Sequence, residues 1–151
     1  MCKMLSIGDE MKVIVGGKGG QGIQFLAMLL AKTAVHQGMN VSMLKSYGPE
    51  ARGGASQASV ITDVNPITNP IIKRADYLLA FSREAVDMWG PRAKNVIYRE
   101  DMNNMEMLGI FIKTIGENID PIIETMKHEI SAKYTDRIEE NIRNLRRGFM
   151  C

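Results

Sequence analysis

The chain has 151 residues, with nineteen Lys and Arg against seventeen Asp and Glu, a formal charge of +2. At 45% hydrophobic and 24% charged it has the balance of a folded globular chain, long enough for one domain with a real core, and its near-neutral charge points to no nucleic-acid partner. The longest wholly apolar run, Phe25 to Ala31, is far short of the roughly 20 residues that cross a bilayer, and Ser6 to Glu10 interrupts any signal-peptide core.

The two cysteines, Cys2 and Cys151, stand near the chain ends. Such positions make poor disulfide or metal ligands, so the expected setting is a reduced, cytoplasmic one without a membrane. Twelve methionines read as flexible core filling.

In chain order, Lys12 to Val15 is a β-branched run ending in Gly16-Gly17, a buried first strand. Ile23 to Gln37 is an almost wholly apolar helix stopped by Gly38. Asn40 to Lys45 forms a second strand, and the glycine-rich Ser46 to Gly54 forms a loop. Gln57 to Thr62 alternates into a third strand that turns out at Asp63 to Pro66. A short amphipathic piece, Ile71 to Ala75, precedes the most apolar strand, Tyr77 to Phe81. Ser82 caps a helix through about Met88, broken by Trp89-Gly90-Pro91, and Asn95 to Tyr98 is one more strand.

From Met102 onward the chain is helical. One helix runs to Ile115 and stops at Gly116. The next opens with Asp120 as N-cap and Pro121 behind it, and the last carries Ile138, Ile142, Leu145 and Phe149 on one face. This alternation predicts a single domain over residues 1–151: an α/β fold with a mostly parallel sheet flanked by helices, Rossmann-like, with a helical C-terminal segment.

Gly17-Lys18-Gly19-Gly20-Gln21-Gly22 satisfies G-x-G-x-x-G between a strand and a helix. Such a turn presents free N–H groups at the positive end of a helix dipole, which suits a phosphate or carboxylate. Residues 11–62 hold five basic side chains against Glu50 alone, which places positive charge around this loop. The acid that an NAD site needs about 20 residues on is missing, because Ser42, Met43, Leu44 and Lys45 stand there. No Gly-Lys-Ser/Thr follows for a P-loop. The bare alternative is that the glycines only permit close strand–helix packing.

The second candidate spans Tyr47-Gly48-Pro49-Glu50-Ala51-Arg52-Gly53-Gly54-Ala55-Ser56. Arg52 supplies a planar donor fork and the flanking glycines admit another backbone; an Arg52–Glu50 ion pair stiffening a loop is the alternative. His36 reads as a helix C-terminal dipole partner and His128 as solvated. Two histidines so far apart, with terminal cysteines, assemble neither a zinc site nor a Cys–His nucleophile by spacing. Arg143, Arg146 and Arg147 read as a solvated face beside Glu139 and Glu140, and Trp89 is either core or an interface anchor. No catalytic or metal-binding constellation is complete, which favours a subunit or binding module over a free-standing enzyme.

The two glycine motifs together, with Ala75-Asp76-Tyr77-Leu78-Leu79-Ala80, Asn104 to Gly109 and the ending Glu140 to Phe149, resemble the gamma subunit, or equivalent fused domain, of 2-oxoacid:ferredoxin oxidoreductases. The Glu50-Ala51-Arg52-Gly53-Gly54 form is nearer the 2-oxoglutarate type than the pyruvate type. The resemblance implies oxidative decarboxylation of a 2-oxoacid to an acyl-CoA with ferredoxin reduction, in a hetero-oligomer with alpha, beta and possibly iron–sulfur delta subunits, ferredoxin taking part indirectly.

Thiamine diphosphate with Mg, the iron–sulfur clusters and CoA would belong to the complex, and the isolated chain would be inactive and hold no cofactor by itself. Gly17, Lys18, Gly19, Gly20, Gln21 and Gly22, with Tyr47, Glu50, Arg52, Gly53, Gly54 and Ser56, would form the edge facing the partners or the CoA phosphates. The section from Phe81 to Asn103 is shorter than the family's usual one, which contributes at least one more strand. A stand-alone anion- or nucleotide-binding, or regulatory, module on the same fold is the alternative.

Overall fold

The computed structural model describes residues 10–47 and 55–151. Its strands are β1 (Met11–Lys18), β2 (Asn40–Tyr47), β3 (Ala55–Asp63), β4 (Ala75–Ala80) and β5 (Ala93–Tyr98). Its helices are α1 (Ile23–His36), α2 (Arg83–Trp89), α3 (Asn104–Thr114), α4 (Asp120–Glu129) and α5 (Thr135–Phe149). The strands form one sheet in the order β2-β3-β1-β4-β5. Four strands run the same way, and β3 runs against both of its neighbours.

The α/β reading with a helical C-terminal segment is therefore correct, and the one reversed strand makes the sheet mixed. That reversal follows from a short connection: β2 and β3 pair from Asn40–Asp63 to Tyr47–Ser56 with only the seven residues 48–54 joining them, and parallel neighbours need a crossover of about a dozen or more.

Alternation along β1 sends Val13 and Val15 to one face and Ile14 to the other. The first face is covered by α1, whose Leu26, Ala27, Leu29 and Ala34 are fully buried, and by Met105, Leu108 and Phe111 of α3. Each such leucine contributes roughly 1.5–3 kcal/mol on leaving water. The second face is covered by α2 and by Ile72. Trp89 is only 6% exposed, and a Cβ on Gly16 would stand 2.5 Å from its ring. Trp89 is thus core, seated on bare β1 backbone.

Local signals mostly hold. Ser82 Oγ accepts from Ala85 N at 3.2 Å and caps α2, and Gly38 ends α1 with φ +82°. Three readings are corrected. Ser46 and Tyr47 extend β2, because they pair with Gln57 and Ser56. Ile71 to Arg74 form no regular element, and Ile72 alone turns into the core. Asp120 is the first residue of α4 with Ile119 at the N-cap, since Asn118 Oδ1 already accepts from Asp120 N at 2.9 Å.

In the α3–α4 connection, burial pushes the Glu117 carboxyl above its ordinary value of 4.5. The native state then keeps this proton to higher pH than the unfolded chain does. Its contribution to stability is greatest at or below 4.5 and declines as pH rises through the raised native value. Glu117→Gln should lose less stability than the parent over that interval. Urea midpoints across a pH series test this, and parallel profiles for the two proteins would refute it.

Candidate functional site

The glycine loop lies where strands end. β1, β4 and β5 are mutually parallel, and α1 and α2 leave β1 and β4 toward opposite faces of the sheet. The gap between those two strand ends is the topological switch point at which open α/β sheets bind ligands. Phe81, just past β4, donates its N–H to the Gly16 carbonyl at 2.9 Å.

Gln21 ties the loop to this gap. Its Oε1 accepts from Lys18 N at 2.6 Å, and its Nε2 donates to Asp101 Oδ1 at 2.8 Å and to the Phe81 carbonyl at 3.5 Å. Gly22 is the N-cap of α1 with φ +73°, and no side chain among the described residues caps that helix. Its carbonyl accepts from Asn104 Nδ2 at 3.2 Å. A Cβ on Gly22 would collide with that amide, whereas one on Gly20 (φ +87°) would meet nothing within 4 Å.

The N-terminus of α3 is closed by its own Asn103, whose Oδ1 accepts from Met105 N and Glu106 N. Asp101 holds a left-handed backbone with φ 51°, which Asp tolerates better than most residues, and its N–H bonds the Phe81 carbonyl. These groups line a cleft of about 390 Å³: Gly20, Gln21, Gly22, Asp101, Met102, Asn103 and Asn104.

Ser56 is placed beside the loop. It stands opposite Gly17 on β1 and Tyr47 on β2, so these three predicted site residues share one rung of the sheet. Its hydroxyl is 3.3 Å from Gln24 Nε2, and Gln24 Oε1 is a buried acceptor with no donor among the described residues. Glu50, Arg52, Gly53 and Gly54 lie outside the described residues; their flanks Tyr47 and Ser56 are both on this rung.

Among the described residues the one charged side chain lining the cleft is the Asp101 carboxylate. Lys12 pairs with Glu10, and Lys32 pairs with Glu129 at the far end of α1. The cleft therefore joins the positive end of a helix to one carboxylate. It can bind and position a group, and among the described residues its lining contains neither a nucleophile–base pair nor a metal-ligand set.

Sequence reasoning missed Asp101, Asn103, Asn104 and Gln24. Asn103 before an apolar run was a readable cap signal. Asp101 had none, because its partner Gln21 is 80 residues away.

A family model described as pyruvate ferredoxin/flavodoxin oxidoreductase matches residues 12–98, which is more than half of the chain. The 2-oxoglutarate synthase subunit KorC of Archaeoglobus fulgidus is 38% identical over 98 residues. That stretch is 63% of this chain and 52% of KorC, so it spans about half of the relative's length.

The crystal structure of a keto/oxoacid ferredoxin oxidoreductase gamma subunit from Geobacter sulfurreducens superposes with a TM-score of 0.77 at 22% identity, over 95% of this chain and 96% of that one. A 2-oxoglutarate:ferredoxin oxidoreductase from Magnetococcus marinus, with 2-oxoglutarate, coenzyme A and succinyl-CoA bound, superposes with a TM-score of 0.80 at 16% identity, over 93% of this chain and 30% of that one. At those identities the two structures speak for the fold alone. With the family match running from the first strand to the fifth across the whole sheet, the chain belongs to the pyruvate ferredoxin/flavodoxin oxidoreductase family.

Proposed function

We propose that this chain is the gamma-type subunit of a 2-oxoacid:ferredoxin oxidoreductase, with 2-oxoglutarate as its substrate, and that it acts with alpha and beta subunits and not alone. The observation that carries this reading is the family match over residues 12–98, and the glycine loop at the carboxyl ends of the sheet supports it. Similarity to KorC and the Glu50-Ala51-Arg52-Gly53-Gly54 form support 2-oxoglutarate.

The donor set fits a division of labour. A four-iron cluster takes four thiolates and the chain has two cysteines, so the clusters belong to partner chains, as does thiamine diphosphate with its Mg. CoA, which supplies the thiol that accepts the acyl group, fits only in part. The uncapped N-terminus of α1 and the open space at Gly20 can take one of its phosphates. Asp101 repels an anion from the other side of the cleft and suits a donor from a neighbouring subunit. In this reading Gly19, Gly20 and Gly22 offer backbone N–H groups, and Gln21 and Asn104 hold the loop in place.

Anaerobic purification of the tagged chain from its native source tests the proposal. We expect partner subunits in the eluate and dye reduction that needs both 2-oxoglutarate and CoA. A chain that purifies alone, from cells whose extract has such activity in other fractions, would refute it. Activity with a different 2-oxoacid would refute only the substrate.

A further inference from the structure

The fold brings together two residues that spacing kept apart. His36 ends α1 and His128 lies in the last turn of α4, and they are the only histidines of the chain. Their ring centroids are 6.0 Å apart at an interplanar angle of 75°. Both are exposed and line a cleft of about 570 Å³ with Thr33, Thr125 and Glu124.

Beneath His36 runs a chain of hydroxyls. Thr33 Oγ1 is 2.6 Å from the Leu29 carbonyl and 2.8 Å from Thr125 Oγ1, which is 3.4 Å from His36 Nδ1. Each hydroxyl has one proton. The Thr33 hydroxyl donates toward the Leu29 carbonyl and Thr125, and the Thr125 proton goes to the Pro121 carbonyl 3.0 Å away. With that proton spent, the His36 tautomer protonated at Nδ1 is the one that can donate to Thr125. That tautomer leaves the Nε2 lone pair free, the arrangement in which a second partner fixes a metal-binding imidazole.

We propose that His36 and His128 form a two-imidazole site for a divalent transition-metal ion of the zinc class. A Zn–N bond of about 2.0–2.1 Å puts the centroids of two coordinating rings roughly 5–6 Å apart, so small rotations of two exposed side chains bring both nitrogens onto one ion. The negative end of the α1 dipole favours a cation here. Among the charged neighbours, Lys32 is held by Glu129 at 2.8 Å, and Lys127 lies 4.0 Å from Glu124. Glu124 stands one turn before His128 on α4. Among the described residues no three His, Cys, Asp or Glu side chains are set to hold a metal, so the site uses two imidazoles and leaves its other positions to water. It is independent of the glycine loop and of the proposed oxidoreductase role.

The test is zinc titration of the tag-free full chain with its cysteines alkylated, by calorimetry and by NMR of the two imidazole signals. At about pH 7.5 we expect one ion per chain, with both imidazole signals shifting together. His36→Ala and His128→Ala, both at exposed positions, should each keep the parent circular dichroism spectrum and weaken binding at least about tenfold. No bound zinc, a shift of only one histidine, or unchanged affinity in either variant would overturn the site.

Discussion

Gly148→Ala is expected to cost about 3 kcal/mol or more, because it places a methyl group where there is only backbone to receive it. α3 and α5 cross through Gly109 and Gly148. A Cβ on Gly148 would overlap the Glu106 carbonyl, and one on Gly109 would overlap the Leu145 carbonyl and stand 2.6 Å from Phe149 N. Neither obstacle can rotate aside as a side chain would, so the helices must separate. Separation would uncover Leu145, which is fully buried, and would loosen Ile142 and Phe149 from the core.

In a chain of this length such a loss lowers the melting temperature by roughly 6–12 °C. The Arg147–Glu106 ion pair spans the same two helices at 3.2 Å, but Arg147 is 64% exposed. Arg147→Ala should therefore cost less than about 1 kcal/mol. Thermal melts of the two variants decide the matter, and a Gly148→Ala protein that melts with the parent would show that the crossing is not this close.

The second large effect is functional. If the chain serves in the oxidoreductase complex proposed above, Gly22→Ala should leave the core folded and lower CoA-dependent 2-oxoacid oxidation by that complex about 100-fold, the scale set by misplacing a binding element by 1 Å or so. The residue has φ +73°, and the added methyl group would displace Asn104 from the Gly22 carbonyl. Two things then go wrong together: α1 loses its starting geometry, and the loop loses its tie to α3. Gly20→Asn provides the contrast. Asn tolerates a left-handed backbone, and the space at Gly20 is open, so this variant keeps the loop and reports only on what approaches it. Steady-state kinetics of both complexes, with assembly checked by gel filtration, test the pair. A Gly22→Ala complex with parent kinetics would remove the glycine loop from the mechanism.

Much of this could be read along the chain. Lys12 to Val15, the apolar helix from Ile23, Ser82 as a cap and Gly38 as a stop are signals carried by neighbours within a turn or a strand, and they appear in the structure where expected. The glycine motif was legible for the same reason, since a strand, a tight turn and a helix N-terminus lie within a dozen residues. Edges were less secure: Asp120 has N-cap chemistry, yet it is the first residue of α4 with Ile119 at the N-cap, and its N–H is taken by Asn118 Oδ1.

The chain alone therefore determined the order of elements, the α/β class, the glycine loop and the family resemblance, all of which rest on local periodicity and short motifs. The tertiary structure decided the rest. It set β3 against its neighbours and buried Trp89 on Gly16. It closed the loop with Asp101 and Asn104, each at least 80 residues from its partner, and it brought His36 to His128. Such pairings carry no periodic signal, because they form only when burial of the apolar faces of α1, α3 and α4 brings distant backbone into register.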